Sequence, residues 1–489
     1  MCPEAAVKTT DVSKENNQQT TQEQIPRKGF CTVRHGLAFI LHFCNFSIYA
    51  QQTNLSIAIT AMVNNTALPS QANASLSSQD NWNETQTEFQ ATAPAYDWSP
   101  EIQGTILSSL NYGSFLAPIP TGYVAGVFGA KYVVGVGLIA TSVLGLLIPL
   151  AADAGVAWLI VVRVFQGIAQ VMVFTGQYAL WVRWAPPVER NQLISIAVSG
   201  AKLGSFLVLL VGGLICQNLG WPYVFYIFGA IGCVCCLLWF PLVYNDPKDH
   251  PFISAGEKSY IACSLAQQDL PKKSLPIKAM IKCLPLWAIL VSYFCEYWTV
   301  HIVTSYSPTY IRSILQTSVT TSGMLSSLPH ISGCICIILG GLLADFLLSR
   351  KILRLIVVRK LFTTIGVLGS SVVLVSLYWV KSSPAATITF LILTTVFTSF
   401  NQPGSLINFL DIAPRYAGFI KGLMQVFAIL AGAISPTVAG VLVGQDSELG
   451  WRNVFLLAAA IDISGLIFYL IFGRAHVQDW AKEETSTHF

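Results

Sequence analysis

Apolar stretches long enough to cross a lipid bilayer recur twelve times along this chain, near 36–62, 102–126, 132–152, 157–182, 193–216, 221–244, 284–311, 322–346, 361–380, 385–410, 417–443 and 451–473. A hydrocarbon core about 30 Å thick takes roughly 20 such residues as a helix. Lipid offers no partner for open backbone groups, so each run is predicted to be helical. Gly113, Pro118 and Pro120 in the second run would break a soluble helix, but neighbouring spans tolerate them. Only 11% of the 489 residues are charged and mean hydropathy is +0.59. A soluble domain carries roughly 25% charge. The fold class is therefore an all-α polytopic membrane protein.

The runs fall into two sets of six. Residues 122–131 read GYVAGVFGAK and residues 341–351 read GLLADFLLSRK. Gly122 answers to Gly341 and Ala125 to Ala344, while Gly126 stands where the later copy has Asp345. Such repetition points to an internally duplicated architecture. The expected organisation is an N-terminal segment 1–35, a six-helix half 36–244, a linker 245–283, a second half 284–473 and a tail 474–489. Residues 1–27 are polar, lack an apolar run and read as disordered. The first span then serves as the insertion signal.

Charge sets the orientation. No Lys or Arg occurs between Gly36 and Ala130. With both termini cytoplasmic, 23 of the 28 basic residues lie inside. Arg312, Lys381 and Arg452 lie outside, and Arg163 and Lys202 fall within spans. This is a strong positive-inside bias. The outside loop 63–101 holds glycosylation acceptors at Asn64, Asn73 and Asn83. Asn45 and Asn54 match the same pattern but lie within span one.

Several function classes drop out. The chain has no GxxxxGK[ST] loop for direct nucleotide use. A net charge of +4, thinly spread, argues against nucleic acid. The twelve cysteines show neither a disulfide framework nor metal spacing, and Cys233, Cys235 and Cys236 read as small core residues. No cofactor and no enzymatic activity are expected. Two six-span halves suit a secondary transporter of the major facilitator type.

Longer motifs carry a resemblance. YDWSPEIQG (96–104), RVFQG (163–167), RWAPPVER (183–190), GWPYVFYIFG (220–229), LSSLPH (325–330), LADFLLSRKIL (343–353), VRK (358–360) and LDIAPRYAGFIKG (410–422) are similar to the anion transporter family of sialin, the vesicular glutamate transporters and the type I sodium–phosphate cotransporters. The similarity runs from Gly29 to Trp480 and is strongest to the type I branch. It implies transport of organic anions and urate, driven by membrane potential and often sensitive to chloride, with phosphate cotransport a looser attribution. Three positions depart from the family. Gln52 stands where sialin and the glutamate transporters have Arg, Gln170 where they have Glu, and Glu296 where the glutamate transporters have Arg. These departures argue against glutamate as substrate and against sialin's proton coupling.

The residues themselves supply the candidate site. Ionisable groups inside a span are costly and mark function by default. Arg163 offers a planar fork for a carboxylate or urate, or a fixed ion pair. Glu296 pairs with Arg163, senses a cation such as Na+, or anchors packing. His330 binds an anion, titrates, or packs neutral. Gln52, Tyr297 and Trp298 join them as substrate contacts, with Phe294, Tyr306, Gln51 and Asn54 nearby. Aromatic walls suit flat anions such as urate or p-aminohippurate, and by extension iodothyronines. Lys202 reads as snorkelling to an interface and Asp462 as structural. Asp345, Arg350, Lys351 and Lys131 read as a charged gate on the cytoplasmic side.

The sequence thus describes a secondary transporter of organic anions, in contact with lipid, in an epithelial plasma membrane, apical by expectation. Sodium-coupled phosphate uptake and a non-transporting receptor on the same fold remain alternatives. The final Thr487-His488-Phe489 has the pattern that a PDZ domain captures, beside the plain reading of a free terminus. Glycosidase should increase gel mobility, and changing Asn64, Asn73 and Asn83 together to Gln should abolish that shift. A shift surviving the triple change would sink the assignment of these three acceptors.

Overall fold

The computed structural model describes residues 32–63, 96–118, 120–121, 124, 128–186, 190–266, 276–380, 383–445 and 449–481. The three glycosylation acceptors, the first copy of the repeated phrase at Gly122 and Gly126, and the terminal Thr487–Phe489 lie outside them. Twelve long helices appear among the described residues: α1 Val33–Met62, α2 Pro100–Leu116, α3 Ala130–Ala154, α4 Val156–Trp184, α5 Arg190–Asn218, α6 Pro222–Leu242, α7 Leu284–Leu315, α8 Val319–Ser349, α9 Leu355–Val380, α10 Pro384–Ser399, α11 Ala417–Gln445 and α12 Leu449–Phe472. Each falls on one of the apolar runs. Ten of them, counting the tenth on to Ile412, are long and apolar enough to cross a membrane on those criteria alone. α1 is more polar, and the described part of α2 is shorter at 17 residues.

The tenth run does not form one helix. α10 stops at Ser399, a π-turn spans Gln402–Leu406, and a short helix follows at Phe409–Ile412. Pro403 has no N–H to donate, and Gly404 leaves helical geometry at φ −87° and ψ −115°. The freed Pro403 carbonyl accepts from Arg359 Nη1 at 2.7 Å. Arg359 also grips Asp411 through two bonds of 2.7 and 3.2 Å. The VRK and LDIAPRY motifs therefore meet in a structural brace that holds the break.

Helices pack closely where glycine replaces a side chain. α1 lies along α5, where a Cβ on Gly200 or Gly204 would strike the carbonyls of His42 or Phe46. Gly167 of α4 meets the Leu110 carbonyl of α2 in the same way. Between the halves, α2 packs on α11 and α5 on α8. Shifting by six helices turns one pair into the other, so the duplication seen in sequence is a two-fold in space. Both seams sit near the face where α1 ends and α2 begins, here the loop face. Ser108 meets Thr437 at 2.9 Å, Tyr112 meets Thr437 at 2.7 Å, and Thr320 donates to the Gly213 carbonyl at 3.1 Å. Toward the opposite, linker face Lys202 and Leu203 on α5 and Leu342, Leu343 and Asp345 on α8 are exposed.

The linker is tied at both ends. Its helix Ala255–Ala266 presents Glu257 to the start of α1, where the carboxylate accepts from the backbone N–H groups of Val33 and Arg34, each at 3.2 Å. Negative charge suits a helix N-terminus, whose first N–H groups lack intrahelical partners. At the other end Met280 is buried in the core of the second half with Leu286 and Tyr293. Gly167→Ala should destabilise the protein by about 2 kcal/mol, because a backbone oxygen cannot yield to the added methyl. Gly341, with open space around it, should accept alanine without loss. Thermal melting of the purified chain checks the contrast.

Candidate functional site

The centre of the bundle is polar on one side and aromatic on the other. Arg163 hangs from α4 and is 2% exposed. Its Nη1 donates to Gln166 Oε1 at 3.0 Å and to the Gln51 carbonyl at 3.5 Å, while its Nε has no partner. Gln51 in turn donates to Ser47, Ser142 and the Phe228 carbonyl, and its Oε1 stays unpaired. Gln170 donates to Thr141 at 3.5 Å. These amides position the guanidinium without neutralising it. Gln52, one residue along α1, is half-buried and has no hydrogen-bond partner among the described residues.

The second half supplies the facing groups. Glu296 on α7 is buried with Oε2 unpaired and lies beside Asn401, at the break after α10. Asp462 on α12 accepts from Thr299 at 2.7 Å through one oxygen and leaves the other unpaired. Lys202 comes within electrostatic reach of both Glu296 and His330. It therefore faces the centre and does not snorkel away. Among the described residues neither Lys202 nor His330 has a hydrogen-bond partner.

Arg163 and Glu296 do not pair: no ion-pair contact joins them. Height explains this. Arg163 stands seven residues from the loop-face end of α4 and Glu296 nineteen from that of α7, roughly 10 and 28 Å at 1.5 Å per residue. The cation and the carboxylate thus occupy different levels.

Lys421 joins them, although in sequence it stands at the start of the run 417–443, where a basic residue reads as part of the cytoplasmic face. In the structure it lies inside α11, where Nζ donates to Tyr293 Oη at 3.1 Å and sits 4.9 Å from that ring's centre. It too acts on Glu296. A signal existed: Lys421 shares an i, i+3, i+7 line with Met424 and Ala428, both buried, so it had to face inward.

Aromatic rings flank these charges. Tyr293 and Tyr297 stack at 4.5 Å, Tyr297 lies 6.1 Å from His301, and Tyr49 lies 5.6 Å from Phe174. Trp298 points elsewhere, into the hydrophobic core with Ile302 and Val303, and Tyr306 donates to the Pro436 carbonyl of α11. Both are packing residues here. The four gating candidates stand apart. Asp345 is exposed, Arg350 lies 5.9 Å from Phe346, Lys351 follows at positive φ, and Lys131 lies 4.4 Å from Tyr244 within its own half.

A cysteine replacing Lys202 should react with a membrane-impermeant thiol reagent applied to the linker face, and not when applied to the loop face. Mass spectrometry of the labelled peptide reads the outcome.

Comparison with known proteins follows the same lines. The Major Facilitator Superfamily model matches residues 41–359. The chain is 70% identical to the probable small intestine urate exporter of Homo sapiens, over 99% of each chain. It is 53% identical to sodium-dependent phosphate transport protein 3 of Mus musculus, over 94% of this chain and 97% of that one. Among solved structures it resembles a bacterial homologue of the human lysosomal transporter Spinster, inward-facing and occupied, with a TM-score of 0.67 at 13% identity, covering 91% of this chain and 98% of that one. A D-xylose–proton symporter matches with a TM-score of 0.67 at 12% identity, covering 90% and 98%. These two likenesses show the fold alone.

Proposed function

Because the chain belongs to the Major Facilitator Superfamily, we propose that it is a secondary transporter of organic anions, working by alternating access. One observation carries the reading. Arg163, Lys202 and Lys421 bring three cations to a centre that holds two carboxylates, and none of the three forms an ion pair there. A buried charge of this kind is costly unless a ligand meets it. A mobile anion is the ligand that fits.

The names of the relatives supply the substrate classes, urate and phosphate. The aromatic side of the centre favours the flat anion. A flat urate can present its polar edge to the Arg163 fork and take two hydrogen bonds from it. Nothing in the geometry favours a tetrahedral phosphate over it. The halves meet at the loop face, and residues of α5 and α8 are exposed at the linker face, which suits a state open to the linker side. By the charge bias that side is cytoplasmic, with loop 63–101 outside and the apical plasma membrane as location. On return, Asp345, Arg350, Lys351 and Lys131 come together and close the linker face. Membrane potential supplies the drive: 100 mV acts with about 2.3 kcal/mol on one charge, roughly a fiftyfold gradient at balance.

Purified chain in lipid vesicles tests this. Urate uptake should follow an imposed potential. Arg163→Ala should abolish it while leaving folding intact, and Arg163→Lys should restore only part, since a point charge lacks the fork. Full urate uptake by Arg163→Ala would overturn the assignment, and binding without any uptake in the parent chain would favour a receptor.

A further inference from the structure

We propose that the cleft between the linker-face ends of α9 and α12 binds the headgroup of an anionic phospholipid that carries a phosphate monoester beyond its diester. None of its residues belongs to the anion centre. A cavity of about 320 Å³ opens there, lined by Arg354, Leu355, Ile356, Arg474, Ala475 and His476. Arg354, Arg474 and His476 are exposed, and among the described residues neither arginine forms an ion pair. No carboxylate lines the cleft, so its potential is positive.

The cleft stands where hydrocarbon gives way to water. Arg354 immediately precedes α9, and along that helix Val357, Leu361 and Ile365 follow an i, i+4, i+8 line and are exposed. On α12 Ile463, Ile467 and Ile471 form a second such line, and Arg474 follows three residues later. Exposed apolar rows of this kind are surfaces for lipid. The two helices lie side by side at this level, for Lys360 Nζ donates to the Leu470 carbonyl at 2.7 Å. Each apolar row thus leads to an arginine at the cleft. A basic mouth above apolar rows matches an amphiphile better than a free ion.

The charge of the mouth narrows the headgroup. A guanidinium takes phosphate oxygens through two parallel hydrogen bonds. One diester phosphate carries one negative charge and suits one arginine. Two arginines with a histidine beside them suit a headgroup of higher charge, such as a phosphorylated inositol ring. In the orientation proposed above this face is cytoplasmic, and that leaflet carries the anionic lipids.

Binding of dioctanoyl phosphatidylinositol bisphosphate to the full chain in detergent tests the site. Arg354→Gln and Arg474→Gln should each raise its Kd about tenfold, the loss of one charged hydrogen-bonded pair, and the double change should abolish saturable binding. Lys278→Ala removes an exposed cation outside the cleft and should leave the Kd unchanged. Dioctanoyl phosphatidylcholine should not bind, and inorganic phosphate at the same concentration should not displace the bound lipid. Thermal melting checks that each variant folds. Retained affinity in a folded double variant would overturn the proposal. Equal weakening by Lys278→Ala would reduce it to diffuse attraction, and displacement by inorganic phosphate would make the cleft a free-anion site; either outcome overturns it as well.

Discussion

Charge in a hydrocarbon medium must be met or hidden, and the whole bundle is arranged around how this is done for Arg163. Its guanidinium is held by an amide and a backbone carbonyl, both neutral. Gln51, Gln166 and Gln170 orient without cancelling. A carboxylate in their place would form a stable pair and close the centre to any anion. The two helix seams serve the same end, bringing the halves together at the loop face and leaving the charges on a surface that another molecule can reach.

Much of this was legible in sequence, and the reason is physical. Lipid demands long apolar helices, so the spans declare themselves in hydropathy, and Arg163 stands out because it interrupts one. What hydropathy cannot give is level and direction. Arg163 and Glu296 both read as intramembrane charges, yet they lie at different heights and do not meet. Lys202 reads as an interface residue and Asp462 as structural because the direction a residue faces depends on helix rotation, which apolar content all round a span hides. Lys421 was lost near a helix end, where a basic residue ordinarily marks the membrane boundary. Trp298 looked like a ligand contact because aromatic residues serve cores and sites alike.

The break after α10 was hidden for another reason. Pro and Gly are common in spans and usually leave the helix intact, so Pro403-Gly404 gave no warning. Only the Arg359 brace, whose partners lie 44 and 52 positions away, makes the break stable. The long motifs shared with relatives at 358–360 and 410–422 are thus about holding this irregular backbone. The residues of the centre itself are scattered over α1, α4, α5, α7, α8, α11 and α12.

Glu257 on the first turn of α1 has a mechanical meaning. It fastens the front of the linker to one half, as Met280 fastens the back of it to the other. Each anchored piece then belongs to the body it is fastened to: when the halves rock, the helix Ala255–Ala266 travels with α1, and the turn that carries Met280 travels with α7.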